Sequence, residues 1–427
     1  MNFIQLIIKF FLRLFGAKSP DSTGEPVNTP AQRPEPKPVT ATETPAPPEP
    51  APEPEEPTPV ETGPLAPTHG LQFNETFAEK SGPDGNIIRA LESILISDGK
   101  MEGQFKYFKK KSWEGWYTGG ESPIKNFIRT QGELLKELKM TSSSQNLLQA
   151  VSENEGKLEA INAYDGAFLS FGIFQWTLGV RDTVGELPAL LKKLKETYPD
   201  TFQLYFGRYG VDIADQTNAL AGYLTLNGEL INTRALKEQF RSREWVYRFW
   251  RAGRDPKVQA MEVEHALSRL KSFYWKYKVH GFTLNNIITS EYGVALLLDN
   301  HVNLPGLVGR ALRKAMDQTG LTDPTNWDTA EERRVLNAYI EHRATTIDGI
   351  GPMYDAKGRA KRTAAYVTDN IISDERGTFR YSHTASRGLG NYIPEPQGFD
   401  PNDYPDMELD TEGRDMEFLA RGAESVA

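Results

Sequence analysis

Apolar positions divide this chain into four stretches. In Met1 to Gly16, MNFIQLIIKFFLRLFG, the polar residues Asn2, Gln5, Lys9 and Arg13 recur every three or four positions. A helix gathers them into one stripe and covers the rest with Phe, Ile and Leu. Residues 17–70 have few apolar positions and hold 16 of the 28 prolines, which predicts an extended, disordered spacer. Residues 71–383 are periodic, and 384–427 are acidic and again without pattern.

Within the body, the periodicity predicts mostly helices. Ile87, Ile88, Leu91, Ile94 and Leu95 fit one helical face, as do Leu147, Leu148 and Val151. Pro188 to Thr197 reads as a short helix, and Trp245, Phe249 and Trp250 mark an aromatic one. Val263, Ala266, Leu267, Leu270, Phe273 and Tyr277 keep helical spacing. The strongly apolar Tyr292 to Leu298 predicts a central helix, stopped at Pro305. Val308 to Met316 repeats the pattern, with Gly320 as its cap. Asp328 and Glu331 stand at capping-box spacing before Leu336 and Tyr339, and Ala356 to Ile372 closes the series. The expected fold is mainly α, with one small β-hairpin or sheet in the middle.

Composition removes several kinds of chemistry. The chain has no cysteine, hence no disulfide and no thiolate metal site. Its six histidines contain no His-x-x-x-His pair, and there is no Walker loop and no Gly-x-Ser-x-Gly elbow, so no metal or organic cofactor is expected. The net charge of −9 belongs to the ends: −6 over 17–70 and −7 over 384–427, against +2 in the body and +2 in the first sixteen residues. A near-neutral body has no general attraction for nucleic acid.

The candidate chemistry lies in Leu147 to Thr177, LLQAVSENEGKLEAINAYDGAFLSFGIFQWT. A helix ends by presenting Glu153 or Glu155, the Asp165-Gly166 pair makes a turn, and an apolar run from Phe168 to Trp176 follows. Glycosidic cleavage needs a protonated carboxyl on the leaving oxygen and commonly a second carboxylate. A Glu at a helix end among aromatic residues is desolvated and keeps its proton, whereas Asp165 on a wetter hairpin stays ionised.

This stretch resembles the lysozyme-like superfamily of phage-type and goose-type lysozymes, lytic transglycosylases and chitosanases. Glu155-Gly156, Asp165 and Ser170-Phe171-Gly172-Ile173 match the phage-type order, with Ser for Thr; Ser152-Glu153-Asn154 matches the chitosanase register, with the same Asp165 and Ser170. The resemblance implies a lysozyme-like catalytic domain over 71–383, with Glu155 or Glu153 as the acid and Asp165 as its partner. Tyr164, Ser170, Gln175 and Thr177 would line the substrate cleft. It implies a muramidase-like hydrolase of peptidoglycan, with chitosanase or lytic transglycosylase as alternatives. If Asp165 stands outside the cleft, a single Glu serves as acid and base.

Other readings stand beside these. The body is alternatively a glycan-binding or cargo component of an envelope-associated assembly. Met1 to Gly16 reads as an anchor for a membrane surface or a protein partner, implying a cell-envelope or exported protein, or else as a removed signal. Trp113, Trp116 and Tyr117, beside Lys109, Lys110 and Lys111, either stack on sugar or are packed. Asp299, Asn300 and His301 are expected to finish a buried helix, and Glu341 and Arg343 to be solvated.

Overall fold

The computed structural model describes residues 63–81, 86–110 and 113–382. The expectations for Met1 to Gly16, for the spacer through residue 62 and for the tail from 384 fall outside the described residues. The body starts before residue 71. Leu65 N–H donates to the Arg208 carbonyl at 2.8 Å and Arg248 Nε to that of Pro67 at 3.1 Å, tying the end of the Pro-rich stretch to the fold.

The sheet is much larger than the sequence pattern indicates. Strands β1 (Gln72–Ser81), β2 (Ile87–Ser97), β3 (Glu102–Lys110) and β4 (Trp113–Thr118) form an antiparallel meander. Strands β5 (Ile161–Asn162), β6 (Ser170–Phe171) and β7 (Trp176–Thr177) extend it in order to seven. Among the described residues 44% are helix and 18% strand, so the fold is α+β and not mainly α.

The segment expected to be the first helix is β2. Its four isoleucines are β-branched and suit a pleated surface. Ile94 and Ile96 are buried on one face, with β1 and β3 satisfying the backbone on either edge. Asp98 Oδ1 accepts from Lys100 N and Met101 N, both at 2.9 Å, closing the turn into β3. On β3 and β4, Trp116 and Tyr117 are buried, Phe105 meets Trp250 edge-on at 5.8 Å, and Lys109 pairs with Glu114 at 3.0 Å. Trp116 and Tyr117 are therefore packed.

Among the described residues, eight longer helices join shorter ones and two small sheets: α1 (Ser142–Ser152), α2 (Leu187–Thr197), α3 (Arg243–Ala252), α4 (Pro256–Ser268), α5 (Glu291–Asn303), α6 (Val308–Thr319), α7 (Thr329–His342) and α8 (Ala356–Thr368). The expected terminators are in place. Gly320 takes the left-handed conformation at φ 70° after α6, and Asp328 with Glu331 closes a capping box on α7. The spacing from Val263 to Tyr277 does not give one continuous helix, since α4 ends at Ser268 and a short turn of helix follows at Leu270–Phe273. Helix α3 packs on β3 to β5, and α1 packs against α4, α5 and α8. Just beyond the C-terminal end of α1, the chain meets the turn between β6 and β7.

Candidate active site at the end of helix α1

Helix α1 is held at both ends. Thr141 caps it by accepting from Ser144 N at 3.0 Å, and Leu147, Leu148 and Val151 are fully buried. Beyond Ser152 the chain unwinds through two tight turns, Asn154 N to Val151 O at 3.0 Å and Glu155 N to Ser152 O at 3.1 Å. Gly156 N then donates to Ile173 O at 2.9 Å, which fastens the corner to the turn between β6 and β7.

Helix α8 grips this corner with one stripe. Arg359, Arg362 and Tyr366 stand three and four residues apart and so share a face. Tyr366 donates its hydroxyl to Glu153 Oε1 at 2.6 Å, Arg362 Nε donates to Asn154 Oδ1 at 2.6 Å, and Arg359 pairs with Glu155 Oε1. Three successive corner residues thus meet three successive residues of the stripe, running in opposite directions. Glu153 also lies 3.5 Å from Lys125 and keeps 36% of its side chain exposed; Glu155 keeps 14%.

Behind Glu155 lies a buried network of charge. Asp299, on α5, is fully buried and accepts from Arg359 Nε at 2.9 Å, Asn154 Nδ2 at 3.1 Å and Arg343 Nη1 at 3.0 Å. Arg343 is fully buried, where a solvated side chain was expected. It also donates to the carbonyls of Leu296 and Ala356, while Glu341 stays at the surface with Lys357. The buried guanidinium persists because a carboxylate and two carbonyls take donors on both Nη atoms, while Nε is left without a partner. Asp299 therefore does more than finish a helix. Its carboxylate orders the arginine that holds Glu155.

Burial pushes the Glu155 carboxyl above its ordinary range, against the pull of Arg359, and the charge of Asp299 pushes the same way. Asn303 Nδ2 donates to Glu155 Oε1 at 2.8 Å, the same oxygen that meets Arg359. Since Oε1 accepts both bonds, Oε2 is the oxygen left to carry a proton. Burial works against the charge of Arg359, and Glu155 and Asp299 more than restore it.

The other sequence-predicted site residues are built into the fold. Asp165 is buried, not on a wet hairpin. Its carboxylate accepts from Asn162 Nδ2 at 2.7 Å and Ala167 N at 2.9 Å, and burial raises its pKa. Its short side chain is used in closing its own turn, as Asx residues do. Tyr164 is buried against Phe108 at 4.3 Å, and Ser170 is buried in β6. Gln175 donates its amide to Gly172 O at 2.9 Å and bends the chain at φ 52°. Thr177 Oγ1 accepts from Gly179 N at 3.1 Å. Asp165→Ala is expected to cost about 1–3 kcal/mol, because it orphans two buried donors; urea unfolding of the variant checks this.

The stretch from Leu147 to Thr177 thus delivers Glu155 and Glu153 to one corner, while Asp165, Tyr164, Ser170, Gln175 and Thr177 shape the turns around it. Arg359, Asn303 and the buried Asp299 and Arg343 complete the site from far along the chain. Among the described residues, no group of three His, Asp or Glu side chains could hold a metal ion. No protein-family model matches this chain, and no curated protein or solved structure matches it either.

Proposed function

We propose that this protein cleaves the glycosidic bonds of an amino-sugar polymer, peptidoglycan first, with Glu155 as a lone acid and base. The observation that carries this reading is Glu155 itself. It is a desolvated, partly open carboxyl with a raised pKa at a helix end, its Oε1 fixed by Asn303 and Arg359. In this account Oε2 gives its proton to the glycosidic oxygen as the bond from the anomeric carbon breaks, with the electron pair leaving on that oxygen. A hydroxyl, from water or from the substrate, then bonds to the anomeric carbon and returns its proton to Oε2. Asp165, closed in its turn, plays no direct part.

Incubation of the protein with purified peptidoglycan, and in parallel with chitosan, tests the reading. Soluble fragments with free reducing ends support hydrolysis, and anhydro ends support attack by the substrate's own hydroxyl. The ion pair with Arg359 favours a second reading, in which the corner is a structural clamp only. Folded protein that releases nothing from either polymer supports that one.

A further inference from the structure

Below the turn that fastens the corner lies a carboxyl that the proposed reaction does not use. Glu262, on α4, is fully buried, and its Oε2 accepts from Ile173 N at 3.1 Å. The carbonyl of that same Ile173 accepts from Gly156 N at 2.9 Å, and Gly156 directly follows Glu155. One residue of the turn is thus held from below by Glu262 and holds the corner from the other side.

We propose that Glu262 is the positioning residue of this site, a carboxyl sealed beneath the Gly172–Ile173 turn that sets, through Ile173 and Gly156, where Glu155 stands. The inference rests on the glycosidase reading of Glu155.

Two observations carry it beyond a single hydrogen bond. The turn is built to rest on the carboxyl. Gly172 has φ 78°, and a Cβ there would lie 2.2 Å from Glu262 Oε2, so only glycine lets the backbone come so close. The carboxyl is also costly, since Glu262 Oε1 is buried without a hydrogen-bond partner. An apolar side chain would fill the same place without that cost, and what it would lack is the acceptor for Ile173 N–H.

The surroundings favour the protonated form of the group. Burial holds Glu262 well above the ordinary carboxyl range, against its bond from Ile173 N, and Glu159 adds to the shift. Glu159 is engaged by Arg254 at 3.2 Å. His265, one turn along the same helix, is held uncharged by burial and by Lys193 and Arg269, and packs edge-on against Trp176 at 5.4 Å.

The test uses the full chain as wild type, Glu262→Gln and Glu262→Leu. Glutamine keeps a neutral acceptor oxygen, so its sugar release and its amide protection at Ile173 and Gly156 should match wild type. Leucine removes the acceptor. It should lower kcat about 10- to 100-fold with KM unchanged, as misplacement of a reacting group does. Exchange at the Ile173 and Gly156 amides should rise on the order of tenfold. If Glu262→Leu does not fold, Glu262→Met takes its place with the same expectation. Leucine or methionine variants with wild-type kcat and protection overturn the inference, as does a glutamine variant impaired as much as leucine. If the wild type itself releases no sugar, the glycosidase reading fails. Amide exchange still decides whether Glu262 holds the corner.

Discussion

Glu155→Gln is expected to lower sugar release by about 10²- to 10⁴-fold, the usual contribution of a general acid, without unfolding the protein. The glutamine carbonyl can accept from Asn303 and Arg359 as Oε1 does, so the grip of α8 on the corner survives. What disappears is a proton to give. The same substitution has a pH signature in stability. The folded carboxyl titrates above its ordinary value of 4.5, so the stability it contributes is full below that value and is lost as pH rises through the folded pKa. The glutamine variant lacks this loss. Its melting temperature, measured against wild type, should improve as pH is raised from about 4 towards neutrality. Glu153→Gln, which alters a more exposed carboxylate held by Tyr366 and Lys125, should leave release within a few-fold of wild type.

The largest effect on stability is expected at Asp299. Replacing it with alanine removes the carboxylate from the fully buried Arg343 and leaves Arg359 with Glu155 as its remaining carboxylate, beside the Asn154 carbonyl. Breaking a buried pair in this way costs about 3–5 kcal/mol, which urea unfolding will read directly. The network also predicts two opposite shifts in activity. Arg359 pulls the Glu155 pKa down and Asp299 pushes it up. Since the acid acts only while protonated, Arg359→Gln should move the alkaline limb of the release profile to higher pH. Asp299→Asn should move it to lower pH. Shifts of the same sign in both variants would contradict the placement of Glu155 between them.

Much of the helical half was legible because its signals are local. The αL glycine at Gly320, the capping box of Asp328 and Glu331, and the stop after Ser152 each depend on a few neighbouring residues. The sheet was not legible in the same way. In β2 the residues Ile87, Ile88, Leu91, Ile94 and Leu95 satisfy helical spacing as well as strand pairing. The decision falls to ladders with the neighbouring strands β1 and β3, which a window along β2 alone does not contain. Asp98-Gly99 was the overlooked sign, a turn pair at the end of an isoleucine-rich run.

The site divides along the same line. Glu155 was visible from its place at a helix end before Gly156. Its partners Arg359 and Asn303 come from 204 and 148 residues away, so spacing could not join them. There were still hints. Asp299 continues the apolar run of α5 directly after Leu298, and Glu262 lies four residues from both Val258 and Ala266 on the buried face of α4. A carboxylate on such a face needs a cation, a hydrogen-bond donor or a retained proton. Asp165 misled for the opposite reason: Asp-Gly marks a turn, and whether a turn is wet depends on what covers it. Here Arg241 donates to the carbonyls of Ala163 and Asp165.

The most direct measurement is release of soluble sugar fragments from purified peptidoglycan by wild type, Glu155→Gln, Glu153→Gln and Asp165→Asn, each shown to be folded. The account predicts release by wild type, by Glu153→Gln and by Asp165→Asn, and its loss in Glu155→Gln alone. Equal release by Glu155→Gln, or none by folded wild type, would contradict it.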